Sequence, residues 1–333
     1  TIKLDGNYPT GTDNVALGNT ALDSVEAGGD NNVAIGDNSL TANTTGAGNT
    51  AVGKDSLISN TTGSTNTAVG LCSLNANTTA DNNTAVGRGA LKLNTTGASN
   101  VGVGRNALEA NTDTSFNVAV GVDALKTNDA DANTALGYVA LCSNTTGTTN
   151  VAVGRSALCK NTTASSNTAV GSNSLRANTT GASNTSVGSS ALIANTTGTA
   201  NTAVGANALD ANISGIRNTA IGLSSLSANT TGGCNTAIGT YALEANTTGG
   251  NNTAIGYYTL LGNLTGANNT AVGSLSLDAN TTGTNNIAVG RSALTDNTSG
   301  ICNTAVGYYA LGANTTASYN TAFGSTALDA NTT

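Results

Sequence analysis

One five-residue phrase, Asn66-Thr67-Ala68-Val69-Gly70, returns with small variations nineteen times along the 333 residues, and this repetition limits the possible folds more than any other property. A unit this short cannot bury its own apolar face. It is stable only when stacked on copies of itself, so the chain must be a stack of coils read as a whole. The glycine that closes the phrase falls at Gly18, Gly36, Gly53, Gly70, Gly87, Gly104, Gly121 and Gly137, then every seventeen residues to Gly324. Seventeen is therefore the period. One extra residue precedes Gly36 and one is missing before Gly137; both slips lie in turn regions, around Glu26-Ala27-Gly28-Gly29 and Asp129-Ala130-Asp131, where insertions are tolerated.

Each copy reads N-T-A-V-G-x-x-A-L-x-x-N-T-T-G-x-x. Thr67 and Val69 share one face of a short strand and Ala68 takes the other. Thr67's place also accepts Val15, Val33, Val101, Val118, Val151 and Ile287, an exchange suited to a buried β-branched slot, so this row is read as inward. Ala68's place accepts only Ala, Ser186 and Gly102, so something presses on that face too. Ser73-Leu74 and its equivalents form a second short strand in this reading, with Leu present in all nineteen copies and a small residue always before it. The charges, among them Lys54, Asp55, Arg88, Glu109, Arg155 and Glu244, fall at the variable places and face water. The N-T-T-G segment turns the chain, with Gly46, Gly63 and Gly97 supplying positive φ. Helices are excluded by the Thr, Asn, Gly and Val content and by the absence of a 3.6-residue apolar stripe.

The expected fold is an all-β parallel β-solenoid, or β-roll, of about nineteen 17-residue coils with two short strands per coil, roughly 90 Å long at ~4.8 Å per coil. Its structural ladders are Asn49, Asn66 and Asn83; Val52, Val69 and Val86; Gly53, Gly70 and Gly87; and Leu57, Leu74 and Leu91. Residues 1–13 do not fit the repeat; with Pro9, Lys3, Asp5, Tyr8 and an Ile2-Lys3-Leu4 strand candidate they read as an N-terminal cap or joint, before one continuous repeat domain over 14–333. The chain begins at Thr1 and stops at Thr333 within a repeat, as expected of an excerpt or of a subunit that joins end to end.

Two Phe, no Trp and no Met leave nothing to fill a thick core, so the interior is thin and lined by Ala, Val and Leu. A net charge of −7 with charged residues at 9% argues against nucleic acid and against an anionic membrane surface. No apolar run is long enough to insert into a membrane within this chain. Disorder has no reason to keep a strict apolar phase over so many copies. Enzymology is nearly empty: the chain has no His, Glu26, Glu109 and Glu244 are far apart, and no nucleophile has a base at a recognisable spacing. No cofactor or metal is expected, because the acidic residues hold no fixed place in the repeat.

Asn14 to Gly18, N-V-A-L-G, and Asn32 to Gly36, N-V-A-I-G, resemble the S-V-A-I-G head repeat of YadA-like trimeric autotransporter adhesins, over residues 14–333. The resemblance implies a left-handed parallel β-roll, three chains side by side, at the cell surface, binding extracellular matrix, a receptor or a glycan. It would explain the uncharged strand: one face inside its own coil, the other against partner chains. The family's period is shorter than seventeen, and these residues show neither a coiled-coil stalk nor a C-terminal anchor pattern. N-T-A-V-G arrays are also similar to the shafts of phage-type tail fibres, which places the chain on a virion as the alternative location.

The function expected is a structural and adhesive extracellular rod offering many weak contacts, without catalysis. The alternatives are a filament polymerising end to end and an ice-binding solenoid with Thr and Asn ladders, the latter disfavoured by the inward reading of the Thr67 row. Candidate surface-binding residues are Tyr138, Tyr241, Tyr257, Tyr258, Tyr308 and Tyr309. Asn43, Asn60 and Asn77 open N-x-[ST] sequons and are candidate glycosylation acceptors. Cys142 and Cys159 each follow the repeat's Leu in adjacent copies, which makes them a candidate disulfide across stacked coils.

Overall fold

A computed structural model describes residues 11–332, so all but the end of the expected N-terminal cap, including Pro9 and the Ile2-Lys3-Leu4 candidate, lies outside the described residues. The described residues fall into two compact units that divide between Ser166 and Asn167. The first holds nine three-residue strands, from β1 (Val15–Leu17) and β2 (Val33–Ile35) to β7 (Val118–Val120), β8 (Thr134–Leu136) and β9 (Val151–Val153). The second holds ten, from β10 (Thr168–Val170) to β19 (Thr321–Phe323). Within each unit successive strands pair parallel and in register, Thr50 beside Thr67 and Thr202 beside Thr219, which is a β-solenoid of about 17-residue coils. Both slips in the period are absorbed outside the strands: Val15 still pairs with Val33 and Val118 with Thr134.

Each described coil contains one strand, not two. The segment read as a second strand is a turn in which Cys72 and Leu74 take φ of +54° and +47°, and the same pair of left-handed residues recurs from coil to coil. The backbone nevertheless bonds to the next coil there, Leu57 N–H donating to Ser73 O at 3.1 Å and Leu74 N–H to Ala90 O at 3.0 Å. A left-handed Leu costs roughly 1–2 kcal/mol. Full burial of its side chain, 0% exposed at Leu57, Leu74 and Leu91, returns about 1.5–3 kcal/mol.

The two faces of the strand are also the reverse of the expectation. Ala51, Ala68 and Ala85 are 0% exposed and point into the coil, while Thr67 and Val69 are half-buried on its outer face. The reason is thickness. At Gly102 a methyl group would lie 3.3 Å from Leu91 Cγ and 3.2 Å from Ala107 O, so the opposite wall leaves room for a Cβ and little more. Leu fills the interior from one side and Ala closes it from the other. Val52, Val69 and Val86 do form an in-register row, but on the outside.

The phrase glycine is required by both conformation and space. Gly70 has φ +136°, and a Cβ there would sit 2.7 Å from the carbonyl of Gly87 in the next coil. The N-T-T-G glycines, by contrast, do not take positive φ. The left-handed residue of that turn is the one before the opening Asn, Thr65, Asn82 or Ser99 at +58° to +60°.

Candidate functional site

The buried asparagines form two ladders, beside scattered buried hydroxyls such as Ser73 and Ser186. Asn66 accepts the backbone N–H of Asn83 on its Oδ1 at 2.9 Å, and its own N–H is held by Asn49 Oδ1 at 2.9 Å. The second ladder runs through Asn43, Asn60 and Asn77, with Nδ2 donating to the preceding Oδ1 at 2.7 and 2.8 Å. Both asparagines of one coil converge on a single turn carbonyl: Ala80 O accepts from Asn66 Nδ2 at 2.7 Å and from Asn77 Nδ2 at 3.1 Å. Among the described residues no buried side-chain polar atom lacks a partner. A continuous polar file is tolerable inside so thin a core because every member is satisfied.

These bonds dispose of the sequons as modification sites on the folded chain. Asn43, Asn60 and Asn77 are 0% exposed, and the Nδ2 that would carry a glycan already donates within the coil. A sugar on that atom would have to occupy the interior.

Outside, the strand face carries Thr, Val or, at Ile287, Ile in one row and Val, Ile, Leu or Phe in the other, with no charge on any strand. In the second unit Thr holds its place without interruption from Thr168 in β10 to Thr270 in β16 (Thr270–Val272). Beside it runs an apolar row that includes Ile221 and Ile255, each 38% exposed. This overturns the inward placement of the Thr67 row. The threonines of the N-T-T-G turn divide: Thr78 Oγ1 donates to Thr95 O at 3.2 Å, while Thr79 is exposed.

The candidate tyrosines all lie on the turn that follows the phrase glycine. Tyr138, Tyr257 and Tyr308 are 57%, 50% and 51% exposed. Tyr138 stands in the first unit. In the second, Tyr257 and Tyr258 have ring centroids 4.0 Å apart, Tyr258 stacks on Tyr241 of the preceding coil at 5.3 Å, and Tyr308 and Tyr309 pair at 6.3 Å. Sequence spacing showed these residues at neighbouring places; that the rings touch required the coil geometry.

Cys142 and Cys159 are brought together as free thiols, their Sγ atoms 2.9 Å apart. The hydrogen bond from the Cys159 thiol favours the Cys142 thiolate and lowers the Cys142 pKa to about 6, against the opposing effect of burial. Cys72, Cys234 and Cys302 are free as well. Among the described residues no group of three or more His, Cys, Asp or Glu side chains is placed to hold a metal, and no helix is long and apolar enough to cross a membrane.

No family model and no curated protein matches this chain.

Proposed function

We propose that the chain is a non-catalytic structural and adhesive fibre protein, displayed outside the cell or on a virion, that packs side by side with copies of itself through its strand faces. The observation that carries the reading is the outer face of the strands. It is in register and free of charge, with an unbroken apolar row beside the Thr and Val row. A monomer gains nothing by keeping charge off a water-facing sheet, whereas a partner surface requires it. The resemblance of the phrase to YadA-like head repeats supports a trimer and a left-handed coil. Repetition supplies avidity, since identical weak contacts on successive coils add up when a ligand spans several.

The test is the mass of the purified chain in solution by sedimentation or light scattering, set against 32.3 kDa for one chain. Three chains are expected, and the double substitution Thr219→Lys with Ile221→Lys should return the protein to monomer without melting it. An open-ended mass distribution would favour the end-to-end filament.

A second reading follows from the same face. Regular outward Thr hydroxyls flanked by methyl-bearing side chains, seven strands in succession, suit the ordering of water as well as a partner chain. A clean monomer that inhibits ice recrystallisation, and loses that activity with Thr219→Lys, would replace the fibre reading with an ice-binding one.

A further inference from the structure

We infer that the cluster of Tyr241, Tyr257 and Tyr258 is a platform for a neutral pyranose glycan, which names the partner class of the adhesive reading and rests on it. The chain holds eight Tyr, two Phe and no Trp, yet three of these rings meet in two successive coils. They do so against the preference of the backbone. Tyr241 and Tyr258 occupy a place that is left-handed in every coil, with φ of +57° and +55°. Elsewhere that place holds Asn or Asp at Asn38, Asp55, Asn106, Asp123, Asn173 and Asn207, the types that tolerate this conformation, and small or β-branched residues such as Ser156, Thr20 and Val139 in other coils. A large ring carries no advantage for this backbone, so three rings brought together on the surface, away from the core, call for a use outside the fold.

The chemistry of the surroundings selects the ligand. Leu223, 43% exposed, borders the cluster one coil before Tyr241. Glu244 lies close enough for its charge to act on the Tyr258 hydroxyl. No Lys or Arg stands in the turn after the phrase glycine from Leu223 to Leu275, so an anionic ligand finds no counter-charge there. A cation cage needs ring faces that converge on one point; here Tyr241 and Tyr258 lie nearly parallel, 23° between planes, and turn their faces to each other. What remains is a flat, uncharged ligand with an apolar face for the exposed Tyr257 ring and hydroxyls at its edge for the Glu244 carboxylate. A pyranose has that form. Tyr308 and Tyr309 form a second ring pair three coils further on, about 14 Å along the stack, with Arg291 in the coil before them, so the uncharged platform is the Tyr241, Tyr257 and Tyr258 cluster alone.

The experiment is affinity electrophoresis of the full chain in gels containing xylan, mannan or mixed-linkage β-glucan, with pull-down on cellulose and chitin. At least one polysaccharide should retard or retain the protein. The pair Tyr257→Ser with Tyr258→Asn should weaken that binding about tenfold or more, and Arg155→Ala should leave it unchanged. Asn at 258 is a residue the left-handed backbone favours, so the melting temperature should hold or rise and loss of binding cannot be assigned to unfolding. No binding to any of the five polysaccharides overturns the inference, as does equal binding by the double variant or competition by tetramethylammonium chloride, which would mark a cation site. Solution mass reads a different surface: a trimer without glycan binding leaves the fibre reading standing and removes only the platform.

Discussion

Replacing Asn229 with Ala removes three hydrogen bonds from the inner ladder of the second unit. The side chain is 0% exposed; its Nδ2 donates to Asn212 Oδ1 at 2.9 Å and to Gly232 O at 3.0 Å, and its Oδ1 accepts from Asn246 Nδ2 at 2.9 Å. The losses are unequal. Gly232 O keeps Asn218 Nδ2 at 2.9 Å, and Asn246 Nδ2 keeps Gly249 O at 3.0 Å. Asn212 Oδ1 keeps no donor, and a bare buried acceptor costs about 1–3 kcal/mol. With roughly 1 kcal/mol for each of the two partly compensated bonds, the sum is about 3–5 kcal/mol.

Because coils couple mainly to their neighbours, the loss should be local. Hydrogen exchange should show reduced protection in the coils of Asn212, Asn229 and Asn246, while the first unit keeps its own. Asn229→Asp is the sharper probe. It preserves shape but turns a carboxylate toward two acceptors, which raises its folded pKa above the ordinary value near 3.9. For a carboxyl with a raised folded pKa, stability is full below the unfolded pKa and is lost as pH rises through the folded one. The variant should therefore lie closer to the parent at pH 4 than at pH 7, since the protonated acid can still donate to Asn212. Parental stability of Asn229→Asp at pH 7, or a cost under about 1 kcal/mol for Asn229→Ala, would refute the reasoning.

Other expectations use different parts of the coil. Leu192→Asp places a charge where the side chain is 0% exposed and should abolish cooperative melting of the second unit, whereas Arg155→Ala, on the exposed turn, should shift the melting temperature by no more than its error. With its pKa lowered to about 6, Cys142 should react with iodoacetamide at pH 7 well before the exposed Cys234. Glutathione disulfide should then convert the Cys142–Cys159 pair to a disulfide, releasing two glutathione molecules and lowering the chain mass by two hydrogens. In the reduced protein, the stability owed to that thiolate should be full above the ordinary thiol pKa and lost as pH falls through about 6. Burial raises the pKa of Asp210 and of Asp278, so both favour the fold at low pH and oppose it as pH rises through their elevated values. Asp210→Asn with Asp278→Asn should raise the melting temperature at pH 7 and flatten its dependence on acid pH.

Much of the architecture is legible in the repeat. The period, the parallel in-register stack, the buried Leu file and the need for Gly at Gly70 and its equivalents follow from which residues recur and which never vary. The turn regions that absorb the slips near Gly36 and Gly137 were equally plain. The Asn ladders could be anticipated, because a stack of identical amides has few other ways to satisfy itself. Tyr241, Tyr257 and Tyr258 could be flagged as surface residues at neighbouring places, as Cys142 and Cys159 could, but the contact of their rings is set by the conformation of the turn.

What the sequence by itself determined is which residues share a face; what only the tertiary structure decided is which face is inside. Alternation places Thr67 with Val69 and opposes Ala68, and it reads the same with the strand turned over. The exchange of Thr for Val suits a half-exposed row as well as a buried slot. The choice belongs to the opposite wall: Leu91 approaches so near the strand at Gly102 that the inward row has space for Ala or, at Ser186, one small hydroxyl held by hydrogen bonds, and not for a β-branched side chain. The left-handed Leu has the same origin. Nothing in the preference of Leu predicts φ near +50°, but this backbone brings the side chain into the one space the Ala row leaves open.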